Sequence, residues 1–232
     1  MQPANAPVWR RLLRAALALP PAYAGLLVLL LLAAALRPQL LSAMLLPLIA
    51  RNLHGGDAGT FTVIGQSLVM RARSIDLSSG GVIVAVSYLL TSGYFEVSDA
   101  TAMGLCVALG LVVGVVNGVL IVQTRASSMI VTLAVSMILT GIVVALSQFR
   151  APGDAPEFLR ELARLRVGGV PLPVLVWLGA LVPAALLLRY SAYGRSLDAV
   201  GSNPQAAALS GLPHLRVVFA GHVASALVSV LC

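Results

Sequence analysis

Long apolar runs separated by short polar turns dominate the sequence. The longest are Thr101–Val122, Met129–Leu146 and Pro171–Leu188. A membrane-spanning helix needs about 20 mostly apolar residues, so each of these runs is long enough to cross a bilayer. The shorter apolar runs are Ala22–Leu36, Leu40–Ala50, Thr60–Met70, Val82–Phe95 and Val217–Leu231. The pattern predicts an all-α fold, a polytopic transmembrane helix bundle.

The apolar pattern is interrupted in the first half of the chain. Leu40–Ala50 is too short to cross a membrane alone, and the glycine-rich turn Asn52–Gly59 separates it from Thr60–Met70. These segments predict a broken or re-entrant element. The turn is followed by a second interruption, Arg71–Gly81, which carries an aspartate and several serines between two apolar runs.

An ionisable residue beside a backbone break at membrane depth is costly unless it lines water or a ligand path. Asp76 and Ser78 are in this position. Two interpretations remain open. The two residues either cap a helix at the edge of a translocation path, or cap a helix at the exposed water interface.

Glycines recur every fourth residue in Thr101–Val122, at Gly110, Gly114 and Gly118. This spacing places them on one helix face, where a neighbouring backbone can approach closely. Asn117 lies beside the stripe, and its amide needs partners in an apolar interior. We expect Asn117 to bridge helices, with substrate contact as the alternative.

The segment Tyr190–Arg216 is a polar island between two apolar runs. Asn203 can cap a short helix, Pro204 suits its first turn, and the alanines that follow favour its continuation. Gly211 and Pro213 are expected to end it. Such a short helix at a membrane face is suited to docking into a groove on a soluble partner.

Composition limits the class of protein. Of the 232 residues 59% are hydrophobic and 10% are charged, which is too little polar surface for a water-soluble protein. The net charge is +7, but no basic helix interleaved with aromatic residues appears, so no nucleic-acid partner is predicted.

All fifteen basic residues are arginine, so these residues hold no lysine for an ATP-binding Walker A loop. The cysteines and histidines are scattered, and no metal site, cofactor or catalytic residue is predicted.

Arginine positions predict the topology. Arg10, Arg11 and Arg14 precede the first apolar run and place the N-terminus in the cytoplasm. The first run also fits a cleavable signal peptide, but the series of runs that follows favours a retained helix. Residues 148–169 are then expected outside, with Glu157–Arg166 as a solvated helix. The island Tyr190–Arg216 is expected in the cytoplasm.

The polar island resembles the cytoplasmic coupling loop of ribose-type sugar permeases, the membrane subunits of bacterial ABC importers. The matching pattern is G-R-x(3)-A-V-G-x-N-x(2)-A-A-x-L-S-G-[IL]. The residues that this resemblance assigns to coupling are Gly194, Arg195, Ala199, Gly201, Asn203, Ala206, Ala207, Ser210 and Gly211.

Two further segments resemble the same family. Asp76 and its neighbours match I-D-L-S within the family's G-G-I-D-L-S-V-G-S signature, although Arg71 and Arg73 depart from it. The run S-M-I-V-T-L around Thr132 is similar to the family's P-F-I-V-T-L. Thr132 can also bond back to its own helix.

The resemblance implies a permease domain over residues 1–232 that forms a translocation path for a monosaccharide. The candidate path residues are Gln66, Asp76, Ser78, Asn117 and Thr132. The implied partners are an ATP-binding ABC subunit, a periplasmic or extracellular sugar-binding protein, a second permease copy and membrane lipid. The implied location is the bacterial plasma (inner) membrane. Family members continue through further membrane helices, so a C-terminally truncated permease is expected.

Two other classes of membrane protein fit the sequence less well. A secondary transporter predicts ion-coupled uptake and repeated halves, and no convincing internal repeat is seen. An intramembrane serine protease would use Ser79 or Ser225 with His222, but no G-x-S-x-G surrounds either serine.

Overall fold

The computed structural model describes seven positions between residues 25 and 36 and the ranges 58–92, 98–150 and 153–232. The chain divides into two compact units, Met1–Asn52 and Leu53–Cys232. In the first unit the described positions are helical. The predicted N-terminal topology and the segment Leu40–Ala50 lie outside the described residues.

The second unit is helical apart from one small hairpin. In chain order its helices are α1 (Ala58–Arg71), α2 (Ser79–Thr91), α3 (Asp99–Thr124), α4 (Ser128–Ser147), α5 (Glu157–Arg164), α6 (Leu172–Tyr190), α7 (Ala192–Ser202), α8 (Pro204–Leu209) and α9 (His214–Ser229). The hairpin pairs β1 (Arg166–Val167) with β2 (Val170–Pro171) in antiparallel register. The all-α prediction is confirmed.

Two of the long helices expose most of their apolar side chains. In α4 the buried residue is Thr132, while Met137 and Ile138 are more than half exposed. In α6 no residue is buried. Within the described ranges α3, α4 and α6 are long and apolar enough to cross a membrane. Because water would penalise such large apolar faces, a bilayer is their natural surrounding.

Helix α9 packs against both α1 and α3. The glycine stripe of α3 makes the second contact possible: Gly110 faces Ala226, Gly114 faces Val223, and Gly118 faces the Phe219 ring. Rising numbers on α3 meet falling numbers on α9, so the two helices are antiparallel. The predicted close-packing role of the stripe is confirmed.

Helix α1 ends in a Schellman motif before the chain turns into α2. The Ser74 N–H donates to the Val69 carbonyl, and the Arg73 N–H donates to the Met70 carbonyl, both at 3.0 Å. Arg73 adopts φ +56°, the left-handed conformation that this motif requires and that glycine normally supplies. Residues 72–78 therefore form a non-helical break between α1 and α2.

Several predicted elements agree with the structure. The solvated helix predicted for Glu157–Arg166 is present as α5, and Pro183 lies inside α6. Helix α1 begins at Ala58, two residues before the predicted apolar run Thr60–Met70. The predicted turn Asn52–Gly59 therefore does not extend to Gly59. Helix α7 was not predicted, although Tyr193, Leu197 and Val200 are at helical spacing and Leu197 and Val200 are buried.

We expect Gly114→Ala to destabilise the fold, because a Cβ there would lie 2.7 Å from the Val223 Cα and 3.2 Å from the His222 carbonyl. Overpacking of this kind costs about 1–3 kcal/mol. Thermal unfolding of the protein in detergent would measure the effect.

Gly104→Ala is the matched control, since Gly104 is on the same helix and a Cβ there meets nothing within 4 Å. It should leave stability unchanged or raise it slightly, because alanine favours the helix more than glycine does. Equal effects of the two changes would contradict the assigned packing.

Candidate functional site

The break at residues 72–78 is supported by a row of hydroxyl groups on α4. The Ile75 N–H donates to Ser128 Oγ at 3.1 Å and the Leu77 N–H donates to Thr132 Oγ1 at 2.9 Å. The Gly81 N–H donates to Ser136 Oγ at 3.1 Å. The three hydroxyls are spaced four residues apart, so they lie on one face of α4. They supply acceptors for backbone groups that have no intrahelical partner.

Asp76 stabilises the end of the break through hydrogen bonds. Its Oδ1 accepts from the Ser78 N–H at 2.9 Å and from the Ser78 hydroxyl at 2.6 Å. Its carbonyl oxygen accepts from Gln66 Nε2 on α1. Both Asp76 and Ser78 are 0% exposed. Neither residue is an exposed cap in the described chain, and the predicted capping by Ser78 is wrong, since its side chain makes no hydrogen bond to the first turn of α2.

Asn117 on α3 joins the break from a third side. Its Nδ2 donates to Ser78 Oγ at 2.8 Å, and the residue is fully buried. The prediction that Asn117 bridges helices is confirmed. Thr132 also makes the predicted bond back to its own helix, donating to the Ser128 carbonyl at 2.8 Å.

His222 on α9 completes the surroundings of the break. Its Nε2 lies 2.7 Å from Ser74 Oγ, and the residue is fully buried. We call the buried residues Ser74, Asp76, Ser78, Asn117 and His222 the break cluster. It joins α3 and α9 to the non-helical segment.

Three atoms of the break cluster are buried without a hydrogen-bond partner among the described residues: Asp76 Oδ2, Asn117 Oδ1 and His222 Nδ1. In each case the other polar atom of the same side chain is bonded within the cluster. An unsatisfied buried polar atom costs about 1–3 kcal/mol, so such atoms call for a functional or solvent partner. The cluster can therefore offer hydrogen bonds to a polar molecule.

The break cluster lies inside the helix bundle, a short distance from the end at which α3 finishes. Asn117 is seven residues from the end of α3. At a rise of about 1.5 Å per residue this corresponds to a depth of roughly 10 Å. Gly201 of α7 packs against the carbonyl of Arg71, so α7 is at the same end of the bundle. The break thus enters the bundle from the side that carries α7 and α8.

A cavity of about 540 Å³ lies between α2, α3 and α5, away from the break cluster. Its walls are mostly apolar, including Val86, Leu90 and Val107. Such a lining offers few partners for a molecule rich in hydroxyls. The break cluster is the better candidate for a polar cargo.

The predicted coupling loop contains a short capped helix. The Asn203 side chain accepts from the Gln205 and Ala206 N–H groups at 3.0 and 3.1 Å, and Pro204 begins α8. At the other end Gly211 has φ +81°. The Leu212 N–H donates to the Ala207 carbonyl at 3.1 Å, which closes a second Schellman motif. The predicted start and end of this helix are confirmed.

Several residues of the coupling motif face inward. Leu197 and Val200 are buried against Leu68 of α1, and Ala207 belongs to the same cluster. A Cβ at Gly201 would collide with the Arg71 carbonyl oxygen. These positions anchor the loop to the bundle.

Gly194 and Tyr193 anchor the start of α7. A Cβ at Gly194 would collide with the Leu188 carbonyl, so the tight turn after α6 requires glycine. The Tyr193 hydroxyl donates to the Val217 carbonyl at 3.2 Å. Burial raises the pKa of the Tyr193 phenol, so it remains a donor at neutral pH.

Another group of motif residues faces outward: Arg195, Asn203, Ala206, Ser210 and Gly211 are exposed, and Ala199 is half-buried. Leu209 lies among them and is 91% exposed. An apolar side chain this exposed at the end of a capped helix has no packing role in the described chain. Together these exposed residues and Leu209 form what we call the α8 surface.

Sequence reasoning missed several residues of these two sites. The sequence indicates His222 only as a possible protease base. It does not predict that Ser128 and Ser136 accept hydrogen bonds. The spacing of Ser128, Thr132 and Ser136 at every fourth residue was a readable signal. The distinction between inward and outward motif residues had no such signal, because it depends on how α7 meets α1.

The serine protease alternative does not fit the geometry. His222 contacts Ser74, whereas Ser79 Oγ donates to the Asp76 carbonyl and Ser225 lies against Gly65. Neither proposed nucleophile is paired with the histidine. Ser74 itself is 5% exposed, so a peptide bond could not reach its hydroxyl in this conformation.

Comparison with known families agrees with this arrangement. The profile of the family described as branched-chain amino acid transport system / permease component matches residues 59–231, which is most of the chain. The chain belongs to this permease family. The permease family model covers the break, the glycine stripe and the α8 surface together.

The relatives of this chain include permeases named for L-arabinose and for autoinducer 2. The L-arabinose ABC transporter permease protein AraH of Azospirillum brasilense is 31% identical over 77% of this chain and 54% of its own length. The autoinducer 2 import system permease protein LsrD of Escherichia coli (strain SMS-3-5 / SECEC) is 28% identical over 70% of this chain and 52% of its own. The chain spans about half the length of these relatives. No solved structure matches it.

Family membership and the three apolar helices identify the permease as a multi-pass membrane protein. The relatives are permease components rather than enzymes by name.

We expect Thr132→Val to destabilise the break, because the part-buried Leu77 N–H would lose its acceptor on the fully buried Thr132. A fully buried N–H left without a partner costs about 1–3 kcal/mol, and the cost here should be at the lower end of that range. Thr132→Ser keeps the hydroxyl and should cost much less. Thermal unfolding in detergent would compare the two variants.

Thr140→Val is the matched control. Thr140 is on the same helix, makes the same bond to the carbonyl four residues earlier, and is exposed. Its replacement should change stability little. If Thr132→Val were as mild as Thr140→Val, the hydroxyl support of the break would be refuted.

Proposed function

We propose that this chain is the membrane subunit of an ATP-driven importer for a monosaccharide in the bacterial plasma membrane. In this proposal the bundle forms the translocation path, and a separate ATP-binding ABC subunit supplies the energy. The observation that carries the proposal is the α8 surface: a capped helix, anchored from within, that presents an exposed leucine. The names of the L-arabinose relatives support the monosaccharide class.

The anchoring of the loop supports a role in transmitting force. Leu197, Val200 and Ala207 are buried in one cluster with α1, so the loop cannot move without moving the bundle. Interiors of this kind are close-packed and pass displacement on. A partner that docked on the α8 surface would therefore act on the rest of the subunit.

Leu209 is the proposed anchor of this docking surface. Interface energy concentrates in a few side chains that enter pockets on the partner. Leu209 is almost fully exposed, and the small residues Ala206 and Ser210 beside it allow close approach. Gly201 and Ala207 face inward, so bulky residues there would disturb folding rather than docking.

The break cluster is the proposed polar part of the path. Sugar hydroxyls both donate and accept hydrogen bonds, and Asp76 Oδ2, Asn117 Oδ1 and His222 Nδ1 are free to bond them. Because the cluster is buried in this conformation, cargo would reach it only when the bundle opens. Gln66 and Thr132 support the break beside it.

The remaining partners follow from the family and from the exposed faces. Helix α5 and the β1–β2 hairpin are at the end of the bundle opposite α7, where a sugar-binding protein would deliver cargo. The unburied apolar faces of α4 and α6 would meet lipid or a second permease copy, identical or not. Energy would come from binding and closure in the ATP-binding subunit rather than from chemistry in this chain.

We expect Leu209→Ser to abolish co-purification with the proposed ATP-binding subunit, because it removes the apolar anchor of the α8 surface. Membrane insertion and thermal stability should be unchanged, since the side chain packs against nothing in the described chain. Affinity purification from detergent-solubilised membranes would measure this.

Leu165→Ser provides the control. Leu165 is also an exposed leucine, at 52%, but it lies between α5 and β1 at the far end of the bundle. Its replacement should leave co-purification intact. Retained co-purification of Leu209→Ser would count against the α8 surface as the docking site.

We expect Asp76→Asn to lower uptake at least tenfold while leaving the amount of protein in the membrane unchanged. The amide keeps an oxygen for the Ser78 N–H but loses the charge and one acceptor. Asp76→Ala should lower both uptake and protein amount, because the Ser78 groups lose their acceptor. Uptake of labelled pentoses and hexoses, L-arabinose among them, would be measured in cells expressing the complete importer.

Asp99→Asn is the control for charge, since Asp99 is an exposed acid at the start of α3. It should leave uptake unchanged. Full uptake by both Asp76 variants would rule out a path role for this residue.

A further inference from the structure

Arg71, the last residue of α1, lies where α1, α6 and α7 meet. Its Nη1 donates to the Leu188 carbonyl on α6 at 2.7 Å. Its Nε is 3.5 Å from Asp198 Oδ1 on α7. One guanidinium therefore contacts both helices that lead into the coupling loop.

The contact with α6 is a helix C-cap made from a distant part of the sequence. Leu188 is in the last turn of α6, where the final carbonyls have no intrahelical partner. A cation at a helix C-terminus also interacts favourably with the helix dipole. This hydrogen bond is charge-assisted, and it is the stronger of the two, because the ion pair with Asp198 is longer and more exposed.

The main chain of Arg71 is held as well. Gly201 of α7 packs directly on the Arg71 carbonyl, and a Cβ at position 201 would be 3.0 Å from the carbonyl carbon. Below this contact Leu197 and Val200 are buried against Leu68. Arg71 is thus fixed to α7 through its backbone and to α6 and α7 through its side chain.

The chain enters the break immediately after this point. Arg73 takes the left-handed conformation, Ser74 contacts His222, and Asp76 follows five residues after Arg71. There is no flexible linker between the coupling loop and the break cluster. Arg71 is three residues before Ser74, the first residue of the cluster, so a shift of α7 relative to α6 acts on the chain close to the cluster; α9, which Tyr193 contacts, is a second route.

We propose that Arg71 is a positioning residue that transmits movement of α7 to the break at residues 72–78. This role of Arg71 rests on the proposed function for one point only: the movement would come from the ATP-binding subunit docked on the α8 surface. Arg71 contacts neither cargo nor nucleotide. Its role is to keep the coupling loop and the break in one mechanical unit.

The first test needs no partner and uses the full chain in lipid nanodiscs. Amide hydrogen exchange is followed in residues 72–78 and 192–202 for the native protein and for Arg71→Ala. Loss of a charge-assisted hydrogen bond should raise exchange about tenfold in both segments, and little in α4. Arg71→Lys should restore part of the protection, since an ammonium keeps the charge but not the planar fork.

Arg73→Ala is the matched control, because Arg73 is an exposed arginine two residues away. It should leave exchange in residues 192–202 unchanged. The proposal is overturned if Arg71→Ala changes only one of the two segments. It is also overturned if exchange rises equally throughout the bundle, which would mean general destabilisation.

The second test adds the ATP-binding subunit. Native protein should change its exchange at residues 72–78 when a non-hydrolysable ATP analogue is added, and Arg71→Ala should still co-purify but lose this response. A preserved response in Arg71→Ala would overturn the transmission role. If the native protein bound no ATP-binding subunit, the proposed function would fail, and the link through Arg71 would be judged by the first test alone.

Discussion

The satisfaction of backbone hydrogen bonds at residues 72–78 is the constraint on which this structure depends. A helix that stops inside an apolar bundle exposes N–H and carbonyl groups with no water to bond them. Here the hydroxyls of Ser128, Thr132 and Ser136 and the carboxylate of Asp76 supply the missing acceptors. The break can therefore exist at depth because its backbone N–H groups are bonded, while Asp76 Oδ2, Asn117 Oδ1 and His222 Nδ1 of the break cluster keep no partner among the described residues.

The same constraint explains why α3 and α9 are so closely packed. Asn117 and His222 reach the break from these two helices. A wider separation would open the cluster to lipid or leave its polar atoms further from their partners. The glycines at 110, 114 and 118 remove the side chains that would hold the helices apart. The close packing at the glycine stripe thus makes the break cluster possible.

Much of the fold could be read from the sequence because its signals are local. Apolar run length gave the membrane helices, and Asn203, Pro204 and Gly211 gave α8 with its ends. The close-packing role of the glycine stripe also followed from spacing alone. The surroundings of Asp76 could not be read in this way, since Ser74 and His222 are 148 residues apart and meet only in the folded chain. Likewise, Arg73 in the left-handed conformation replaces the glycine that would have marked the end of α1.

The coupling motif shows how a recognisable sequence pattern can combine two physical tasks. Gly194, Gly201 and Ala207 fit against main chain or core, where any larger side chain would displace a neighbour. Arg195, Ala206 and Leu209 are exposed and have no such constraint from within. A residue of the first kind keeps the loop rigid, and a residue of the second kind can meet a partner. In the proposed function only the rigid part could turn docking at the α8 surface into movement of the bundle, because a loosely attached loop would absorb the displacement itself. The proposal therefore makes the inward glycines as necessary to coupling as the exposed leucine, although they would never touch the partner.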